Sequence, residues 1–233
     1  MIVAITGSFM GSFMLWLTYH QDSLFRRSSC ESCQNNLTWF QLIPIVSFLL
    51  QRGRCSYCGS IIPLYLFLTE LLFASLFLSL CAVNQAMVLI ATLISFLVPL
   101  AVYDIHHLKV PNHMLILMGG LLLLIQYPLL FDLSHLLASV LLIVLLHLFY
   151  LLTHSIGYGD VKLLSLFALF LPLYYFLLIF MLTYFIGGIA VIFFLFYKRN
   201  LHKIPLVPFI AVSTFLVIKF YAELYTIYFG GFI

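Results

Sequence analysis

From Ile2 to Tyr19 the chain is apolar apart from glycines and hydroxyl-bearing residues, and stretches of this kind recur to its end. A helix needs about 20 apolar residues to cross a bilayer. Read on that scale, the pattern predicts spans near 2–19, 61–83, 86–103, 113–131, 133–153, 161–172, 174–197 and 206–229. The sixth is short, and Pro172 separates it from the seventh. The expected fold is an all-α polytopic membrane protein of about eight transmembrane helices. Continuous apolar runs argue against a β-barrel, whose strands are short and alternate. Composition sharpens the picture: 65% of the 233 residues are hydrophobic and 7% are charged. A soluble domain is nearer a quarter charged.

The few basic residues predict orientation, because Lys and Arg collect on the cytoplasmic side. Arg26, Arg27, Arg52 and Arg54 lie between the first two spans, Lys109 follows the third, and Lys162 follows the fifth. Lys198, Arg199 and Lys203 follow the seventh, and only Lys219 falls within a span. An alternating chain puts all but Lys219 on one side, with both termini outside. The net charge of +3 is thereby explained without a nucleic-acid partner. The amino terminus has no basic region before its apolar run, so it reads as a retained helix. Its Gly7-x-x-x-Gly11 spacing suits close packing against another helix of the same chain.

Residues 21–60 form the one long polar stretch, and they carry Cys30-x-x-Cys33 and Cys55-x-x-Cys58 with 21 residues between the pairs. This is close to zinc-ribbon spacing. Each turn brings two thiolates to one ion, and four thiolates close a tetrahedral shell with no place for a catalytic water. The reading is a structural zinc that folds a loop too small to hold a core. Two disulfides are the alternative, disfavoured on the reducing cytoplasmic side. Cys81 stands alone in an apolar run as a packing residue.

Among the seven acids, Asp22, Glu31 and Asp132 fall in polar segments, whereas Glu70 and Glu223 lie inside spans, Glu223 one turn after Lys219. Asp104 and Asp160 lie at the cytoplasmic ends of spans, each beside turn residues: Val110-Pro111-Asn112 after the first, Gly157 and Gly159 around the second. Carboxylates at membrane depth are costly and mark function. Two facing each other cannot both ionise readily, so they share a proton. One then acts as base toward a water while the other donates to a scissile carbonyl. The glycines leave room for backbone or an extended substrate near Asp160.

These residues carry a resemblance. "GYGDVKL" (157–163) resembles the GxGD motif of intramembrane aspartyl proteases in the form found in type IV prepilin peptidases. "YDIHHLKVPN" (103–112) is similar to that family's upstream aspartate motif. "GSF" (11–13), the paired CxxC, "LIPIVSFLLQRGRCSYC" (42–58) and "IPLYLFLTELL" (62–72) also read like the family. The likeness runs to Leu164, after which only hydropathy matches, and it is nearest to short Gram-positive forms that process competence pseudopilins.

The resemblance implies two regions: residues 1–83, with the first helices and the 21–60 zinc loop, and residues 84–233, a membrane-embedded aspartyl peptidase core. It implies Asp104 and Asp160 as the catalytic dyad, with Gly157, Gly159, Lys162 and Glu70 supporting or binding substrate. The implied substrates are prepilins or pseudopilins, cut after a glycine at the cytoplasmic face of the inner membrane. Larger members also methylate the new amino terminus with S-adenosylmethionine; Glu70 is the candidate residue for that step. Many members have Asn and Arg soon after GSF, where this chain has Leu15 and His20. The residues also allow two other readings. Asp104 with His106, His107, His113, His154 and His202 would suit a small divalent-metal transporter with a zinc-binding loop. A non-catalytic scaffold gives no account of two acids at matching depth.

Overall fold

A computed structural model describes residues 2–19, 27–80, 87–197 and 204–230. The predicted roles of His20, Asp22, Arg26, Cys81, Lys198, Arg199, His202 and Lys203 therefore fall outside the described residues. The chain divides into two units, Met1–Met87 and Val88–Ile233.

The first unit holds α1 (Ile2–Tyr19), a 3₁₀ turn (Trp39–Leu42), α2 (Val46–Leu50) and α3 (Leu64–Leu80). Helices α1 and α3 run antiparallel: Gly7 lies against Phe77 and Phe73, Gly11 against Phe73, and Tyr19 stacks with Tyr65. A Cβ on Gly11 would stand 2.7 Å from the Phe73 ring, so the small-residue stripe is consumed by packing within the chain. Between the helices, two turns repeat one design. The amide of Cys30 donates to the Asn35 carbonyl and that of Gln34 to the Cys30 carbonyl, at 3.0 and 2.9 Å; Cys55, Ser60 and Gly59 repeat both bonds at 2.8 Å. Gln34 and Gly59, the fifth residue of each turn, have φ of 57° and 72°. Matching bridges, Ser29 to Asn36 and Arg54 to Ile61, close the two turns. The polar reading of 21–60 needs correction over 39–50, where Trp39, Phe40, Leu49 and Leu50 are exposed on the 3₁₀ turn and α2.

The second unit contains α4 (Met87–His107, from Val88 on), α5 (Asn112–Gln126), α6 (Leu133–Thr153), α7 (Tyr158–Phe170), α8 (Leu173–Tyr197), α9 (Val207–Lys219) and α10 (Tyr221–Phe229). Helix α7 is the hub: α5, α6 and α8 all pack on it. Val161, Leu163, Leu164, Phe167, Ala168 and Phe170 are buried, as expected of a helix apolar on every side. Its last carbonyls are satisfied from α6, where Ser139 donates to Ala168 O at 2.7 Å and His135 Nε2 meets Leu169 O at 3.0 Å. Asp132 is the N-cap of α6, accepting from Ser134 N at 3.0 Å and Ser134 Oγ at 2.7 Å.

The prediction of about eight spans is met only in part. Among the described residues, four helices are long and apolar enough to cross a membrane, beginning at Val88, Asn112, Leu133 and Leu173. The predicted sixth span is the 13-residue α7, roughly 20 Å long against a core of about 30 Å. The predicted eighth is broken: α9 and α10 meet at 98° and count as a fifth span only if taken together. That break removes the helical spacing expected to pair Lys219 with Glu223; Lys219 instead stands over the rings of Phe215 and Phe220.

Candidate functional site

Both aspartates sit where a helix meets a turn. Helix α4 continues to His107 and ends on Leu108, whose φ of 51° is left-handed and whose amide donates to Asp104 O at 2.8 Å. Asp104, in the last turn of α4, is buried, with 4% of its surface exposed. Its Oδ2 accepts from Val207 N at 3.2 Å, and the Leu206 amide contributes as well. The N-terminus of α9 thus holds this carboxylate. Sequence reasoning missed that partner. Pro205 and Pro208 could have marked a helix start, but no local pattern says which residue a helix start will face.

Asp160 is the third residue of α7, and its carboxylate reaches back to the amide of Gly157, the N-cap. This is the acidic half of a capping box. The charge of Asp104 acts on Asp160, and that of Asp160 on the Tyr184 hydroxyl of α8. Asp160 Oδ1 is buried with no hydrogen-bond partner among the described residues. Such an atom in a native fold calls for an explanation. The flanking glycines are needed by the site itself. A Cβ on Gly157 would stand 2.8 Å from Asp160 Oδ2, and one on Gly159 would stand 2.8 Å from Val110 Cβ and 2.9 Å from its Cγ2. Lys162 ties the two motifs together: its Nζ donates to Asn112 Oδ1 at 2.9 Å and lies 4.8 Å from the Tyr158 ring centroid.

In the first unit, the Sγ atoms of Cys30, Cys33, Cys55 and Cys58 all lie within 4.8 Å of one another, and the thiols are free. Cys30 and Cys58 are 3.8 Å apart. Four sulfurs about 2.3 Å from a tetrahedral ion would be separated by about 3.8 Å. The Cys33 backbone amide and then the Ser60 hydroxyl lower the Cys30 thiol to about 6. Cys33 moves oppositely: the Asn35 backbone favours its thiolate, but burial and the neighbouring thiols raise it to about 11. Sulfurs this close resist ionising together unless a cation lies among them, so the donor set fits a metal ion. Among the described residues this is the one cluster of three or more metal-ligating groups. The described histidines expected of a transporter, His106, His107, His113 and His154, do not converge with Asp104 into a second such cluster.

Glu70 belongs to the first unit, on α3, with its Oε2 accepting from Ile45 N at 2.7 Å and Ser12 also bonded to it. Ile45, with φ 64° and ψ −54°, is the centre of a γ-turn closed by Val46 N to Pro44 O at 2.6 Å. This is a rare, strained conformation, acutely so for a β-branched residue. Glu70 also lines a cavity of about 300 Å³ with Ser12, Trp16, Tyr65, Gln41 and Glu31.

Among the described residues these features define an all-helical integral membrane protein with a carboxylate pair and a four-thiol loop. Comparison with known proteins gives the rest. A profile of the bacterial peptidase A24 N-terminal domain matches residues 1–84, and one of the type IV leader peptidase family matches residues 91–192. The chain belongs to the type IV prepilin peptidase family. It is 36% identical over 122 residues to a prepilin leader peptidase/N-methyltransferase of Bacillus subtilis (strain 168), covering 49% of each chain. A protein of the same name from Myxococcus xanthus (strain DK1622) is 34% identical over 111 residues, 46% of this chain and 33% of that one. A third, from Vibrio cholerae, is 40% identical over 55 residues, 24% and 21% of the two chains. The matched stretches thus span half or less of these relatives' length. No solved structure matches. Residues 206 and 207, which hold Asp104, lie beyond the profile matches.

Proposed function

We propose that the chain is an aspartyl endopeptidase that removes the leader from type IV prepilins or pseudopilins at the cytoplasmic face of the inner membrane. The observation that carries the reading is the pairing of Asp104 with Asp160, within reach of each other's charge, with one buried oxygen of Asp160 unpartnered among the described residues. A pair this close shares one proton. Asp104, accepting from two backbone amides at the start of α9, is the carboxylate; Asp160, which accepts one from Gly157 and has its other oxygen unpartnered among the described residues, keeps the proton. Asp104 takes a proton from a water, which attacks the scissile carbonyl carbon, while Asp160 O–H donates to the carbonyl oxygen. Collapse breaks the C–N bond as the leaving amine takes up the proton held by Asp104, and Asp160 recovers its own from the product carboxyl. A peptide bond inside a helix is shielded by its own hydrogen bonds, so cleavage requires a locally unwound substrate. Unwinding costs least at a membrane edge, where water satisfies the freed groups. Asp104 closes a helix and Asp160 opens one, which suits that location.

Gly157, Gly159 and Lys162 serve as support, fixing Asp160 and its distance from the 108–112 turn. Cys30, Cys33, Cys55 and Cys58 hold a structural zinc. S-adenosylmethionine, if the chain also methylates, would supply a methyl group. The cavity beside Glu70 offers two carboxylates and several aromatic rings to a cationic, aromatic cosubstrate.

The test is cleavage of a prepilin-type peptide, leader plus apolar stem, by the full chain in vesicles. Asp104→Asn and Asp160→Asn should each lose more than about a thousandfold in rate, as expected of groups that act as a unit, while metal content and membrane insertion stay normal. Near-normal cleavage by either variant overturns the mechanism.

A further inference from the structure

The segment from Trp39 to Leu50 has two faces. Inward, Phe48 stacks on Phe67 of α3 with centroids 4.7 Å apart, and Ile45 N donates to Glu70 at 2.7 Å. Outward, Trp39, Phe40, Leu42, Val46, Leu49 and Leu50 are 67, 58, 44, 46, 60 and 76% exposed. A dense apolar patch of this kind marks an interaction surface. Immediately after it come Arg52 and Arg54, both exposed.

The depth of the inward contacts decides what covers the outward face. Helix α3 begins at Leu64. At 1.5 Å per residue, Phe67 and Glu70 lie roughly 5 and 9 Å along its axis. If α1 and α3 enter the bilayer as a hairpin, a segment fixed to those two positions stands where headgroups give way to acyl chains. Interfacial helices bury their apolar faces to a similar depth, about 5–10 Å. Tryptophan is enriched at that level, and arginines are attracted to anionic headgroups there.

We infer that Trp39–Leu50 is a lipid-binding interfacial element, its outer face in the acyl boundary of the leaflet where α3 begins, with Arg52 and Arg54 at the phosphates. This rests on the membrane reading of the α1–α3 hairpin. The two cysteine turns flank the element in sequence, so one loop joins the metal cluster to the membrane surface.

Full-length protein in phosphatidylcholine–phosphatidylglycerol vesicles provides the test, because Trp16 and Trp39 are its two tryptophans. Trp39 emission is isolated in Trp16→Phe and, independently, as the difference between wild type and Trp39→Phe. Lipids brominated near the carbonyl end of the acyl chain should quench Trp39 at least about twofold more than lipids brominated near the methyl end, and aqueous iodide should quench it little. Strong iodide quenching with weak quenching by every brominated lipid overturns the inference. Leu72→Trp, on an exposed position of α3 in a background lacking both native tryptophans, reports on the hairpin. Deep quenching there with Trp39 in water rejects the interfacial element alone. Both residues in water reject the hairpin's insertion and the element with it.

Discussion

Replacing Gly159 by alanine adds one carbon at a point of the candidate site with no room for it. That carbon would stand 2.8 Å from Val110 Cβ and 2.9 Å from Cγ2, with Val110 N at 3.4 Å. Apolar carbons settle at about 3.5–4.0 Å, so roughly 1 Å must open between the start of α7 and the 108–112 turn. Rotating the Val110 side chain does not help, because Cβ moves only with the backbone. That backbone is restrained: Pro111 is buried and Asn112 is bonded to Lys162. The stability cost should be about 1–3 kcal/mol, the usual range for overpacking. The effect on catalysis should be larger than this cost implies. Asp160 is the next residue and feels the charge of Asp104, and a 1 Å misplacement costs on the order of a hundredfold in rate. The assay is mass-spectrometric cleavage of a prepilin-type peptide, beside thermal unfolding of the same preparation. Val110→Gly removes the colliding Cβ, so the double variant should recover much of the lost rate. Wild-type cleavage by Gly159→Ala, or a double variant no better than the single one, would refute the reasoning.

Purified protein should carry about one zinc per chain on its four thiolates. Chelation or Cys58→Ser should release it and loosen the loop, whereas metal-free protein with full activity would reject the site. Asp132, held below the usual carboxylate range first by the Ser134 hydroxyl and then by the Ser134 amide, should stabilise the start of α6 above its unfolded-state value. The stabilisation should fade as pH falls through the lower folded value. Asp132→Ala should therefore lower Tm at neutral pH and make no difference in strong acid; an equal loss at both pH values would exclude capping by the charged group.

The residues that punctuate the apolar runs carried most of what could be read from sequence. Asp104, Asp160 and the four cysteines stand out because a membrane protein has little other use for charged groups and paired thiols at such places. Pro172 separates α7 from α8 as expected, since α7 ends at Phe170 and α8 begins at Leu173. Hydropathy failed where direction mattered. It records that 206–229 is apolar and is blind to the 98° turn within it. It also averaged 39–50 into a polar loop, although those residues alternate between α3 and an exposed apolar face.

The partners of each site residue depend on tertiary structure, and they change what the motifs mean. Gly157 and Gly159 looked like space for a substrate, yet Asp160 and Val110 fill that space. Lys162 looked like a supporting or substrate-binding charge, and it is bonded to Asn112 across the two motifs. Glu70 is occupied in holding the Ile45 turn, so any part it has in methylation must be compatible with that bond. Asp104 accepts from Val207, in a region where only hydropathy resembled the family. The two aspartates differ through these contacts: one accepts a hydrogen bond from the start of α9, while the other retains an unpartnered oxygen among the described residues. On the proposed mechanism that difference, absent from either motif, is what would let one carboxyl act as base while the other holds the proton.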